Sequence, residues 1–418
     1  LGGGIVGLSC ALALQRDGRA VTIIDRARPG QGASYGHAGG IAVTWVSPQG
    51  IPGIVRRLPK WIVDPLGPVA VRWAYLPRLI PWFIRLRRHS STSEVDRLSA
   101  ALASLMGESW AAWDRTLTDT DSHDLVRHGG SLSVYPNRAY MESDRVPWDL
   151  RQRHGFSWET LEGSDLRRME PALADDYGFG ILEPLAKWCE DPSGITDALV
   201  RRLLDNGAVI EERNVTSLLT DNDAVTALRT TTGDVDVSSV VIAAGAWSHR
   251  FAGQLGHRVP LESERGYHVD LPNPGIMPAR ILSLAAHKVV ATPMRQGLRL
   301  SGTAEFSGVD SPPDFRRAEA LLEIGRRALP GLNTDGFSQW SGDRPILPDS
   351  LPVIGRDPLF SNVFHAFGHS HIGFTLGPLT GELIADAVAG REPKVPLDPF
   401  RLDRFGRRKR NPAATSPE

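Results

Sequence analysis

Apolar residues recur at helical spacing through residues 8–16, and after the turn Asp17-Gly18-Arg19 the chain switches to a continuous apolar run at 20–24 closed by Asp25. A helix followed by a buried strand is predicted. The helical period returns over 94–117, where Leu98, Leu102, Leu105 and Met106 share one stripe and are core positions before anything else. A helix over 195–205 leads into strands at 209–212, 215–220, 224–230 and 237–244, the last ending Ala243-Ala244-Gly245-Ala246-Trp247. Further strands are predicted at 125–135, 178–183, 265–271, 280–284 and 298–305, with helices at 316–328 and at 374–389 behind a glycine-rich turn.

These elements have two textures. Three stretches of nucleotide-domain character lie far apart, at the start, at 195–247 and at 340–390, so an α/β, Rossmann-like domain is expected to be discontinuous. The strand-rich segments between them are expected to form a second, mixed-sheet α+β domain that supplies the substrate pocket. The expected division places 1–50, 90–124, 191–253 and 338–400 in the nucleotide domain, 125–190 and 254–337 in the substrate domain, 51–89 in an insertion and 401–418 in a tail.

Candidate chemistry begins at the first residues. Gly2-Gly3-Gly4-Ile5-Val6-Gly7 reads G-x-G-x-x-G at the start of a helix. Gly2 permits a tight turn, Gly4 admits a pyrophosphate to bare backbone, and Gly7 lets the helix pack close on its strand, while the helix start offers unpaired N–H groups. Asp25, at the end of the next strand, stands where such folds grip an adenosine ribose; an ion pair with Arg26 is the alternative. A first strand belongs before Gly2 and only Leu1 of it is present, so further apolar residues are expected to precede the chain.

Composition narrows the classes. The 418 residues are 41% hydrophobic and 23% charged with a net charge of −1, ordinary for a globular protein and contrary to nucleic-acid binding. Two cysteines, Cys10 and Cys189, imply no disulfide framework and a reducing compartment. No apolar run reaches a membrane span. Residues 51–88 are unusual: Arg56, Arg57, Lys60, Arg72, Arg78, Arg85, Arg87 and Arg88 face the single acid Asp64, with Trp61, Trp73, Tyr75, Trp82 and Phe83 interleaved. The segment suits an anionic bilayer surface, or equally a partly buried helix pair with a solvated arginine rim. Arg407, Arg408, Lys409 and Arg410 belong to a basic tail expected to be disordered.

The opening motif with Asp25, the loop Gly32-Ala33-Ser34-Tyr35-Gly36-His37-Ala38-Gly39-Gly40-Ile41, the Ala-Ala-Gly-Ala-Trp strand end, Trp340-Ser341-Gly342-Asp343-Arg344-Pro345 and Gly368-His369-Ser370-His371-Ile372-Gly373-Phe374-Thr375 occur in that order. Together, over nearly the whole chain, they resemble the flavin-dependent D-amino-acid oxidase and glycine oxidase superfamily, most closely its bacterial D-amino-acid dehydrogenase branch. The resemblance implies a non-covalent FAD, with Gly2, Gly4, Ile5 and Val6 at its pyrophosphate, Asp25 and Arg26 near the ribose, Ala33, Ser34, Gly36, His37, Ala38, Gly39, Gly40 and Ile41 along the ribityl chain and ring, and Val215 at adenine. It adds Ala244 and Gly245 at the strand end, Gly342, and Gly368, Ile372, Gly373, Phe374 and Thr375 at the flavin. Relatives that attach flavin through a C-terminal cysteine are not matched, since no cysteine follows Cys189.

Arg344 is the expected anchor for a substrate carboxylate, because its planar fork matches two carboxylate oxygens. Tyr267 is expected as a second substrate contact and His268 as a pocket wall, or both as core residues satisfied by backbone. His371 is expected to add positive potential or to touch the substrate. His369-x-His371 lacks partners for a metal, and none is expected. The expected reaction is FAD-dependent oxidation of a D-amino acid, including D-proline or a hydroxy-D-proline, by hydride transfer, with electrons leaving to a quinone or other acceptor. The alternatives are an oxygen-using oxidase of glycine, sarcosine or another N-alkyl amino acid, and a flavin-binding electron-transfer subunit. The expected location is the bacterial cytoplasm, with peripheral contact on the inner face of its membrane.

Overall fold

In a computed structural model that describes residues 1–54, 61 and 67–406, the opening apolar run forms the strand Thr22–Asp25, which pairs in parallel with Val209–Glu212. Leu1 and Gly2 continue this sheet. The Leu1 amino group donates to the Val241 carbonyl at 2.8 Å and its carbonyl accepts from Ala243 N–H at 2.8 Å, while Gly2 N–H donates to Ile24 on the other side at 2.9 Å. Val240–Ile242 then pairs in parallel with Val363–Phe367, and Val353–Arg356 closes that edge antiparallel.

Helices cover one face of this sheet. Ile5–Arg16 packs on Gly373–Ala389, which in turn packs on the long helix Thr92–Thr120. The stripe read from the sequence is buried as expected: Leu98, Leu102, Leu105 and Met106 lie in one cluster with Leu376, Leu379 and Leu383. A three-stranded antiparallel meander, Val215–Asp221, Ala224–Thr230 and Gly233–Asp236, joins the sheet's other apolar cluster through Val215, Leu218, Val225 and Leu228.

The second sheet has nine strands. It runs from Ser338–Ile346 through Glu262–Leu271, Gly297–Phe306, Val289–Met294, Ile281–Leu284, Ser131–Tyr135 and Phe179–Glu183 to Glu159–Glu162, with Val69–Val71 beside Gly297–Phe306. It is mixed: Ile281–Leu284 pairs in parallel with Ser131–Tyr135, and its other main-path pairs are antiparallel. The α/β class and the mixed sheet expected from the sequence are present.

Several expected boundaries differ. Residues 338–346, grouped above with the nucleotide segments, are hydrogen-bonded into the nine-stranded sheet against Glu262–Leu271. The predicted strand at 125–135 is two, Val126–His128 and Ser131–Tyr135, because Gly129 and Gly130 break it and Gly130 takes φ 77°. One stretch among the described residues, Ser370–Ala389, is long and apolar enough to cross a membrane, and two-thirds of it (67%) is buried as the core helix against Ile5–Arg16. Arg56, Arg57, Lys60, Asp64 and the tail residues Arg407 to Arg410 lie outside the described residues.

Candidate active site

A continuous cavity of about 1200 Å³ runs from the opening glycines to the nine-stranded sheet. That exceeds the usual pocket for a drug-sized ligand and leaves room for a dinucleotide and a small substrate together. Gly2, Gly4, Ile5 and Val6 line one end. Gly2 has φ 112°, and a Cβ at Gly7 would stand 2.0 Å from the Gly2 carbonyl oxygen, so both positions require glycine. The helix Ile5–Arg16 carries no side-chain cap from Gly4, and Ser34 Oγ accepts from Ile5 N–H at 2.9 Å. An uncapped helix start with a hydroxyl on it is a phosphate cradle.

The Asp25 carboxylate lines the cavity and accepts from Gly3 N–H at 2.6 Å and Ala27 N–H at 3.2 Å. The Arg26 guanidinium lies 3.7 Å over the Trp247 ring, and both line the same end with Val215, Ala244 and Gly245. Along the middle, Ala33, Ser34, Gly36, His37, Ala38 and Gly40 form one wall. The His37 ring stacks on Phe374 at 4.6 Å, and burial, helped by the Arg344 and Arg299 charges, pushes its pKa down to about 3. It is therefore neutral at pH 7.

Gly39, Ile41 and Gly368, expected at the cofactor, do not line this cavity. Gly39 backs onto the Cys189 carbonyl, Ile41 is fully buried in the core around the opening helix, and Gly368 turns at φ 79° against Leu347. Ile372, Gly373, Phe374 and Thr375 do line it, at the start of a helix that has no side-chain cap. Its free N–H groups and positive dipole end favour negative charge. Cys10 and Cys189 are buried, free and away from the cavity.

The other end of the cavity is built on two paired strands. Glu264 sits directly opposite Arg344, Gly266 opposite Gly342, and His268 opposite Trp340. Successive strand residues point to opposite faces, so Glu264 and Gly266 share the cavity side with Arg344. The Arg344 Nη1 donates to Glu264 Oε1 at 2.8 Å and to the Thr303 carbonyl at 3.0 Å. Its Nη2 lies over Gly266, where a Cβ would come within 2.0 Å. His371 Nε2 also stands 2.8 Å from Glu264 Oε1, and its Nδ1 is 3.0 Å from Gln49 Nε2.

Tyr267 and His268 follow the second of the two expectations, buried residues held within the fold, although Tyr267 also borders the cavity. Alternation puts the Tyr267 hydroxyl on the far face, where it donates to Glu305 and accepts from Asp314 N–H at 2.8 Å. His268 does not line the cavity: it stacks behind Trp340 at 5.1 Å, with Nδ1 3.1 Å from the Gly36 carbonyl. Arg344 pairs with neither Asp343 nor Asp349, which are taken by Ser263 and Arg404.

Sequence reasoning assigned no role to Glu264 or Gln49, nor to the buried pair Arg151–Glu183, which lies 2.9 Å apart on the cavity wall with Thr44 donating to Glu183 at 2.6 Å. A regular spacing of inward positions through Glu264-Arg265-Gly266 was the available signal for the first. His257, Asp357 and His365 form a buried cluster off the cavity. Both imidazole Nε2 atoms stand 2.8 and 2.7 Å from Asp357 Oδ2, a hydrogen-bond spacing tighter than the roughly 3.3 Å between donors that tetrahedral zinc bonds imply.

The family of FAD dependent oxidoreductases designated DAO matches residues 1–387. A D-amino-acid oxidase of Bradyrhizobium diazoefficiens is 34% identical over 412 residues, covering 97% of this chain and 98% of the relative. A D-amino acid dehydrogenase of Paramagnetospirillum magneticum is 31% identical over 430 residues, covering 97% and 98%. Among solved structures, glycine oxidase from Geobacillus kaustophilus superposes with a TM-score of 0.72 at 22% identity, covering 96% of each chain. L-proline dehydrogenase from P. horikoshii gives 0.74 at 18%, covering 97% of this chain and 96% of that one, and these two likenesses establish the fold. The glycine cradle, the hydroxyl on the first helix and the second uncapped helix start fit an extended FAD along the cavity. With that fit and a match over most of its length, the chain belongs to the DAO family of FAD-dependent oxidoreductases.

Proposed function

We propose that the protein oxidises a D-amino acid, D-proline and hydroxy-D-proline included, to its imino acid and passes the electrons to a quinone or another acceptor. The observation that carries this reading is Arg344: Nη1 is fixed by Glu264 and Thr303, and Nη2 and Nε make no hydrogen bond among the described residues. That leaves one edge of a planar fork for a substrate carboxylate at the cavity wall. The names of the two bacterial relatives support the same substrate class.

FAD, when bound, supplies the hydride acceptor for the α-carbon. The chain's own residues orient and shield. Arg344 holds the carboxylate and so fixes where the α C–H points, the part of the rate that positioning supplies. The N–H groups of Gly373 and Phe374, at the start of the C-terminal helix, stabilise negative charge developing at their end of the cavity. Arg344→Ala is expected to retain FAD and lose at least about 100-fold in kcat/KM, as loss of a charge-assisted anchor should. Unchanged steady-state kinetics would remove the anchor.

Oxygen is the competing acceptor, favoured by the name of the Bradyrhizobium relative. A quinone is favoured by the surface of Leu76–Arg88. Leu79, Trp82 and Leu86 are buried, whereas Trp73, Ile80 and Ile84 are 70%, 48% and 50% exposed. Arg72, Arg78, Arg85, Arg87 and Arg88 surround this apolar stripe and are themselves exposed. Such a face suits the anionic inner leaflet of a bacterial membrane, where quinones reside.

A further inference from the structure

Glu264 is only 7% exposed and lines the cavity, yet its two oxygens are unequally used. Oε1 receives both Arg344 Nη1 and His371 Nε2, each at 2.8 Å, and Oε2 has no hydrogen-bonded partner among the described residues. Arg344 is thus an anchor whose charge is already balanced by an acid on the facing strand. A carboxylate arriving at the open edge of Arg344 comes to rest beside a second carboxylate. Two like charges close together in a largely buried site repel each other.

The charges around Glu264 do not remove the conflict. Arg344 faces it from the paired strand and His371 from the turn before the C-terminal helix; His37, the next ring along the wall, is neutral at pH 7. Burial alone would raise the Glu264 carboxyl, but the hydrogen bonds from His371 and Arg344 and the Arg344 charge overcome it and hold its pKa at about 2. The acid is therefore ionised when a ligand arrives. A ligand relieves the repulsion only by bringing its own positive charge, and an α-amino acid carries its ammonium one carbon from the carboxylate.

We infer that Glu264 is a specificity-determining residue: placed against Arg344 at the cavity wall with one oxygen free, it admits a carboxylate only when the same molecule carries a cationic nitrogen. The inference rests on Arg344 as the carboxylate anchor. It names the chemical class excluded, 2-hydroxy acids, 2-oxo acids and simple carboxylates. It also gives product release a direction, since the 2-oxo acid left after imine hydrolysis has lost the cation that Glu264 requires.

Two probes of one shape separate the charge from everything else. 2-Aminoisobutyrate has an amine but no α C–H to lose, and 2-hydroxyisobutyrate replaces the amine by a hydroxyl. Their dissociation constants are read from the flavin absorbance shift of the FAD-loaded protein. The wild type is expected to bind the amine at least tenfold more tightly, and Glu264→Gln to bring the two within twofold, at unchanged FAD content and melting temperature. Equal binding of the two probes by the wild type, no binding of the amine, or a preference kept in Glu264→Gln would overturn the inference. If Glu264→Gln does not fold, Glu264→Asp, which keeps the charge, must keep the preference. Arg344→Ala reports separately: it loses both probes if the anchor holds, and binding of both as in the wild type removes the anchor whatever Glu264 does.

Discussion

Gly266 shows how much a single position can carry. Its missing side chain is the space in which the Arg344 guanidinium lies, so any Cβ there would displace the fork from Glu264. The motif around Arg344 was legible in the sequence because its residues are contiguous. The Glu264 partnership was not, since it depends on which residues of two distant strands stand opposite, and neither strand's pattern states its partner or register. The same holds for Tyr267, whose place on the far face follows from that register. His369 gives a residue-scale expectation. It is 2% exposed, its Nε2 lies 2.9 Å from Thr380 Oγ1, and burial pushes its pKa down to about 3. A histidine held neutral in the fold but free to protonate near 6.5 when unfolded contributes stability that is complete above about pH 6.5 and is lost as pH falls toward 3. At pH 5 the loss is on the order of 2 kcal/mol. Urea unfolding at pH 7 and pH 5 should show that fall in the wild type and a smaller one in His369→Gln; equal falls would mean that His369 does not carry it.

Helices were more legible than strands. The opening helix, the long helix with its four-residue stripe and Arg316–Ala328 follow from a period that each segment displays alone. Strands at 237–244 and 125–135 were expected too long, because an apolar run does not say where a strand stops: only Val240–Ile242 forms regular strand in the first, and glycines divide the second. The contact between the opening helix and Gly373–Ala389 sets the cavity's cofactor side, and it is close because of Gly381. A Cβ there would stand 2.4 Å from the Ser9 carbonyl oxygen, against backbone that cannot rotate away. Gly381→Ala is expected to separate the two helices, cost about 1–3 kcal/mol of stability and weaken FAD retention. A variant with wild-type melting temperature and flavin content would show that the helices tolerate the separation.

At the scale of the molecule, one cavity joins a mainly parallel nucleotide-binding sheet to a nine-stranded mixed sheet, and Arg344 lies on the mixed-sheet strand that reaches the cofactor path. In the described part of the basic aromatic segment Trp82 and Leu86 are buried and Trp73, Ile80, Ile84 and five arginines are exposed, which leaves membrane contact as a proposal. The full chain is expected to sediment with phosphatidylserine vesicles at low salt, to be released as salt screens the arginines, and to lose binding in the Ile80→Ser/Ile84→Ser double variant. Recovery of the wild type in the supernatant at low salt would end the membrane reading. The central claim, oxidation of a D-amino acid held by Arg344, is tested most directly by mixing the FAD-loaded protein without air with D- and L-amino acids, D- and L-proline, glycine and sarcosine, and following flavin absorbance. Bleaching by D-amino acids or D-proline, with their L-enantiomers inert, is the expected result. Bleaching confined to glycine, sarcosine or L-enantiomers, or none at all, would contradict it.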